Sequence, residues 1–280
     1  MPTSTERSRS TDQANIEKSF SDHPTTAKAN RSFLADVRID YGPSDLLGRF
    51  FIAADAALEQ QGITLSFATF QELLAANEAN PESWLPLNPT FRPNNGIVGG
   101  PNSFALLGRN RQGNVVTAQA VQIFEWQNST FKAEAESLRL LFAQPDPNQY
   151  PQGTLTMTAP SAHSILKGRI GYGGAAWRHP TTRGKGLSPI LGRISKAYAC
   201  AHWQIDHFVG ITSLALLATG FTKEAGFKHS EPGVSFADPT LGPPQAAITW
   251  ITADEILDDL ESYMKSVRAS SVPPTQLRHA

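Results

Sequence analysis

Residues 177–203 read WRHPTTRGKGLSPILGRISKAYACAHW, and the rest of the chain is organised around them. The apolar, glycine-bearing run Arg169 to Arg178 leads in as a strand. A short loop with Gly184 and Gly186 follows. Leu187, Ile190, Leu191, Ile194, Tyr198 and Ala201 then recur at the three- and four-residue spacing of one helical face. Pro189 falls in the first helical turn, where its missing N–H costs least. Strand, glycine loop and helix N-terminus together form a socket for a phosphate: main-chain amides converge and the helix dipole adds partial positive charge. Glycine at 184 and 186 lets a ligand approach the backbone with no β-carbon in the way, and Arg183 and Lys185 add full charges. Neither G-x-x-x-x-G-K-[ST] nor G-x-G-x-x-G occurs, which weighs against nucleoside triphosphate and nicotinamide chemistry.

Working outward, residues 1–31 are polar and charged and read as a flexible tail. Residues 32–40 alternate partly and read as a first strand, broken by Gly42-Pro43. Leu46, Leu47, Phe50, Phe51, Ala54, Ala57 and Leu58 predict a helix opening near Ser44 and closing at Gln60-Gln61-Gly62. A second helix is expected from about Ser66 to Asn77; Thr69 and Glu72 have capping-box spacing and Ser66 competes as the cap. Pro81, Pro86, Pro89 and Pro93 predict an irregular loop to Pro101, with Trp84, Leu85, Leu87 and Phe91 packing on something. Phe104 to Arg109, a polar turn at 110–114 and Val115 to Trp126 read as an antiparallel hairpin. An amphipathic helix at 132–143 and a short strand at 154–158 follow, within a stretch 127–168 that carries no readable motif. Beyond the opening stretch come a buried strand at 206–212, a helix from Leu214 to Ala225 ending on Gly226, a strand at 246–252 and a helix at 254–267. Residues 269–280 read as a second flexible tail.

The 280 residues hold 24 basic and 25 acidic side chains, so any attraction to anions is local and neither nucleic acid nor an anionic membrane is an expected partner. A single cysteine, Cys200, rules out an internal disulfide and suits a reducing compartment. No apolar run approaches the roughly 20 residues of a membrane span, and the N-terminus lacks the apolar core of a secretory signal. A cytoplasmic location is therefore expected. The histidines form no H-x-x-x-H or Cys/His cluster, and no metal is expected. Cys200 reads as a packing residue, and Phe124, Trp126 and Trp84 as core in preference to a pocket wall.

The run His179-Pro180-Thr181-Thr182-Arg183-Gly184-Lys185-Gly186-Leu187-Ser188 resembles the coenzyme A signature of the GNAT superfamily of N-acetyltransferases. In that signature Arg or Gln, two residues, Gly, one residue, and Gly or Ala follow a strand. Arg183 and Gly186 fill the first two positions, and Ser188 stands at the third. Phe208-Val209-Gly210-Ile211 and Ala218 to Phe227, ending Gly226-Phe227, are similar to the family's later strand and helix. The resemblance covers about Ser32 to Thr252. It implies a mixed α/β fold whose central, mostly antiparallel sheet is flanked by helices, in one domain over 32–268 with an insertion at 127–168. The sequence departs from the family at Arg178, where an aliphatic residue is usual, and at Thr222, which aligns with a frequent tyrosine acid.

What the resemblance implies for function is acyl transfer, chiefly acetyl, from acetyl-CoA or another acyl-CoA to an amine that attacks the thioester directly. Arg178, Arg183, Gly184, Lys185, Gly186, Leu187 and Ser188 would bind the cofactor. Glu125, near the end of the hairpin, is the candidate base, ahead of His163 and His207; His179 reads as structural. Thr222 stands where the acid would be and could at most hydrogen-bond the sulfur. The acceptor would be a small-molecule or peptide amine, and a homodimer is left open. The alternative from another class is a coenzyme A or metabolite sensor, or a partner-binding module, without catalysis on the same fold.

Overall fold

A computed structural model describes residues 31–271. The apolar stripe of the opening stretch forms helix α5 (Leu187–Trp203), which buries Leu187, Ile190, Leu191, Ile194, Tyr198 and Ala201. The stripe lies against a single sheet of eight strands, because an amphipathic helix hides its apolar face only against another apolar layer. The strands are β1 (Ile63–Ala68), β2 (Ser103–Asn110), β3 (Val115–Trp126), β4 (Leu155–Met157), β5 (Gly168–Arg178), β6 (His207–Ser213), β7 (His229–Phe236) and β8 (Ala246–Thr252). Their spatial order is β1-β2-β3-β5-β6-β8-β7-β4. Every neighbouring pair is antiparallel except β5 and β6. This is the mixed α/β class, with a mostly antiparallel sheet, that the GNAT resemblance implies.

Two apolar layers cover the sheet. On one face α1 (Ser44–Gln60), α5 and α8 (Ala253–Ser271) pack over Leu65, Leu106, Val121, Phe208 and Ile251. On the other, α2 (Phe70–Glu78), the proline-rich loop and the insertion pack over Leu107, Ala120, Tyr172, Val209 and Trp250. Among the described residues no helix is long and apolar enough to cross a membrane.

The structure corrects several sequence expectations. Residues 32–40 hold no strand: Ser32 caps a 3-10 turn at Phe33–Ala35, and the amides of Asp40 and Tyr41 both donate to Ala201 O. That carbonyl lies in the last turn of α5, whose acceptors have no partner within the helix, so the segment is spent on satisfying it. The second helix starts later than expected because Ile63, Leu65 and Phe67 alternate as β1; Ser66 lies in that strand, and Thr69 with Glu72 forms the capping box of α2. The order is thus helix, strand, helix, hairpin, with α1 ahead of the first strand. In the proline-rich loop Trp84, Leu87 and Phe91 are buried, but Leu85 is 84% exposed.

The insertion at 127–168 carries β4, α3 (Phe131–Glu136) and α4 (Pro160–Ser164). The helix expected over 132–143 stops at Glu136, since Leu138 turns left-handed (φ 62°) and Leu138, Leu140 and Leu141 all bury in a compact turn. At the sheet edge, Glu136 accepts from the amide of Met157 and Lys132 donates to its carbonyl, which blunts a strand otherwise open to further pairing. The helix expected from Leu214 to Ala225 breaks at left-handed Gly220 into α6 (Leu214–Ala218) and α7 (Phe221–Glu224). Strand β7 is unannounced because Pro232 and Gly233 interrupt its pattern; they sit at a register shift against β8. The tail readings for 1–31 and 269–280 lie outside the described residues, apart from Arg31 and from 269–271, through which α8 continues.

Strand β5 owes its path to two glycines. A β-carbon on Gly173 would lie 2.5 Å from the Phe208 ring on one face, and one on Gly174 would lie 2.2 Å from the Phe91 ring on the other. Gly174→Ala is expected to cost about 1–3 kcal/mol by overpacking, seen as a lower urea midpoint at unchanged m-value. The same change in a Phe91→Leu background should cost measurably less, the signature of a direct contact; equal costs in both backgrounds would show that the ring is not the obstacle.

Candidate functional site

Strands β5 and β6 pair from Ile170↔His207 to Gly173↔Gly210 and then part. Beyond that point β5 runs on beside β3 alone, and β6 beside β8 alone. The register of β3 against β5 shifts between Ala118↔Trp177 and Ala120↔Gly174, which leaves an extra residue on β5. Ala175 in this bulge has φ 52°. A bulge bends its strand and increases its twist, and a non-glycine residue held left-handed is the kind of strain that gathers at working sites. The result is a wedge within the sheet. One wall is the backbone edge of 174–178, and the other is the end of β6 with α6 and α7 beyond it.

The loop at the mouth of the wedge is internally braced. His179 N donates to Val116 O at 2.8 Å, Thr182 Oγ1 donates to His179 O at 2.8 Å, and His179 Nδ1 lies 2.7 Å from Thr181 Oγ1. His179 therefore works within its own turn, as the sequence suggests. Gly184 and Gly186 are both left-handed (φ 75° and 70°), and a β-carbon on either would meet nothing. Their glycines answer a backbone demand and leave the space above them open. Helix α5 then starts with no side-chain cap, so the amides of its first turn face outward without one.

Three cations surround this turn. Arg183 Nε lies 3.3 Å from Arg178 O, and its Nη2 reaches Ser83 O at 3.5 Å. Lys185 is exposed beside it. Arg178, half-buried, lies over the Phe221 ring at 5.5 Å and so bridges the wedge from β5 to α7. Burial pulls the Arg178 guanidinium below its ordinary value, with Glu224 opposing and Arg183 reinforcing the shift. The structure thus brings together Arg178, Arg183, Gly184, Lys185, Gly186, Leu187 and Ser188, the last two buried at the head of α5.

Thr222 sits buried on α7, across the wedge from Arg178. Glu125 is placed elsewhere. It pairs in register with Arg169 at the start of β5 and forms an ion pair with it at 3.1 Å, while Arg169 also donates to Trp203 O. Trp203 ends a helix of 17 residues whose first turn is the loop site, so Glu125 lies about 25 Å from that turn. The structure does not join it to the loop. His163 is exposed on α4, and His207 starts β6 with its imidazole pulled down by burial. Burial pushes the Cys200 thiol up to about 12, which suits a packing residue.

Two residues that sequence reasoning passed over fix the far wall. Lys196, 2% exposed, donates to Gly192 O at 2.9 Å and Ala225 O at 2.7 Å, with its ammonium 4.0 Å from the Phe227 ring. Arg193 donates to Glu224 O at 2.9 Å and pairs with the buried Asp259 at 2.7 Å. Both cations hold carbonyls at the end of α7, where the helix dipole favours positive charge. The available signal was Gly192, four residues before Lys196: a β-carbon there would lie 2.7 Å from that of Ala225, so the glycine marks a close approach.

No family model and no curated protein matches this sequence. Among solved structures, the chain is similar to a dodecameric spermidine N-acetyltransferase from Vibrio cholerae at 11% identity and a TM-score of 0.43, over 71% of this chain and 98% of that one. It is also similar to a Klebsiella pneumoniae protein named as an acyl-CoA N-acyltransferase at 14% identity and a TM-score of 0.38, over 68% and 97%. Likeness at these values says nothing about ligand or activity, which rest on this chain's own residues.

Burial pulls the Lys196 amine from 10.5 down to about 7, with Arg193 in the same direction and Asp259 opposing. Between those values the unfolded chain binds the extra proton, so this group makes stability rise with pH through that window and withdraws it as pH falls to about 7. The stability difference between the wild type and Lys196→Met should therefore grow toward high pH by up to about 1.4 kcal/mol per pH unit. Urea titrations from pH 6 to 10 measure it; a difference independent of pH would show that Lys196 titrates normally.

Proposed function

We propose that this chain transfers an acyl group, acetyl in the first instance, from acyl-coenzyme A to an amine that attacks the thioester directly. The observation that carries this reading is the wedge that opens beyond Gly173 and Gly210 and ends on the glycine loop at the head of α5. An extended pantetheine arm offers amides to the unpaired edge of β5, as an added strand would. The pyrophosphate rests on the amides of Arg183 through Ser188, with the charges of Arg183, Lys185 and Arg178 around it. The amides of the bulge at Gly174 and Ala175 would donate to the thioester oxygen as it gains negative charge.

The reaction forms an amide C–N bond and breaks the C–S bond; the amine loses a proton and the departing thiolate gains one. The carrier thiol has a pKa close to that of cysteine, modestly above neutral, so solvent suffices to protonate it. Thr222 on α7 is too weak an acid to replace a phenol, and its role is a hydrogen bond to the sulfur. Glu125, the candidate base, pairs with Arg169 at the end of α5 away from the pyrophosphate loop, so it would act only from the acceptor's side.

A second reading, binding of the carrier without turnover, is favoured by the aromatic cover at the wedge. Phe91 lies against Gly174 and stacks on Tyr172 with ring centroids 5.7 Å apart, filling the face opposite α5. Two measurements separate the readings. Calorimetry should show coenzyme A binding that is lost in Arg183→Ala/Gly186→Glu while the circular dichroism spectrum is retained; unchanged affinity would contradict both. Thiol release from acetyl-CoA across a panel of amines should then occur with at least one acceptor. Binding with no release across the whole panel would leave the non-catalytic reading standing.

A further inference from the structure

Beside the loop lies a concavity of about 380 Å³ that the transfer chemistry does not use. It shares Thr181, Thr182 and Lys185 with the loop, and it is completed by Gln60 and Gln61 at the end of α1 and by Arg111 and Gln112 in the turn between β2 and β3. The charge pattern is one-sided. The lining holds two cations, Arg111 and Lys185, and no carboxylate. Among the described residues neither cation forms an ion pair with an acid. Its remaining polar groups include several side-chain amides, each able to donate and accept at once.

Arg111 lies against Gly62. Its Nε lies 3.2 Å from where a β-carbon on Gly62 would be, and Gly62 (φ 71°) is the left-handed residue just past α1. The guanidinium is thus set beside the C-terminal end of that helix, where a cation is favoured.

Resting on the acyl-carrier reading above, we propose that this concavity takes the adenosine 3′-phosphate end of coenzyme A. The 3′-phosphate would lie on Arg111, the purine edge against the amides of Gln60, Gln61 and Gln112, and Lys185 between the two phosphate groups. The volume is of the size that holds a small ligand, since such pockets run from about 300 Å³ upward. A guanidinium suits a phosphate because its donors match two oxygens together. Lys185 belongs to both the loop and the concavity, so the pyrophosphate on the loop delivers the nucleotide to this side of it. Helix α1 precedes the first strand of the sheet, and its end would serve as one wall of the nucleotide site.

Calorimetry with coenzyme A and with 3′-dephospho-coenzyme A tests this on the full chain. The wild type should bind coenzyme A about tenfold or more tightly than its dephospho form, the scale of one hydrogen-bonded charge contact. Arg111→Ala should erase that preference while leaving the affinity for the dephospho form unchanged, which also shows the variant to be folded. Arg111→Lys should restore part of the preference. If Arg111→Ala keeps the wild-type ratio, or weakens both ligands equally, the 3′-phosphate is not in this concavity and the proposal fails while the acyl-carrier reading stands. If the wild type binds neither ligand, the acyl-carrier reading fails and this proposal with it.

Discussion

Strand β5 is held by β3 along nearly its whole length and by β6 over only four residue pairs. That imbalance is the constraint on which the rest of the molecule depends. A parallel pair in an otherwise antiparallel sheet has a neighbour of opposite direction on each side, and each of those neighbours keeps its partner after the pair has separated. The bulge at Ala175 adds bend and twist to β5 where β6 lets go. Gly173 and Gly174 let Phe208 and Phe91 close on the strand from both faces, so the space left beside β5 lies within the plane of the sheet.

A gap between strands is useful only if its walls stay put. The near wall is fixed by sheet hydrogen bonds and by the stacking of Trp177 on Trp84, whose rings are 4.7 Å apart and nearly parallel. The far wall ends in α7, a single turn that could not persist alone. It persists because Arg193 and Lys196 on α5 hold its last carbonyls, with Asp259 on α8 neutralising part of the buried charge. Helix α5 therefore does two things: its uncapped first turn leaves main-chain amides open at the glycine loop, and its middle clamps the opposite wall.

Much of this was legible in the sequence. The six-residue apolar stripe of α5, the glycines at 184 and 186 and the hairpin at 103–126 follow directly from spacing and backbone chemistry. What escaped detection has physical causes. Residues 63–68 are a short alternating run pressed between two helices, and the capping-box signal that begins at the next residue, Thr69, drew the helix boundary toward them. Strand β7 hid behind Pro232 and Gly233, which act as breakers everywhere except at an irregular register. For Glu125, sequence gives the strand but not which end of it meets the loop; the structure sets it opposite Arg169, away from the loop. Arg193 and Lys196 escaped because a cation on a helix is ordinarily solvated, and only the tertiary approach of α7 buries these two.

The most direct measurement is a crystal structure of the full chain with coenzyme A bound. If the wedge is the carrier's site, the pantetheine arm lies between β5 and β6 with its amides on the edge of residues 174–178, the pyrophosphate touches the amides of 183–188, and the sulfur lies near Gly174. Coenzyme A bound anywhere else on the chain, with the gap between β5 and β6 empty, would contradict that assignment.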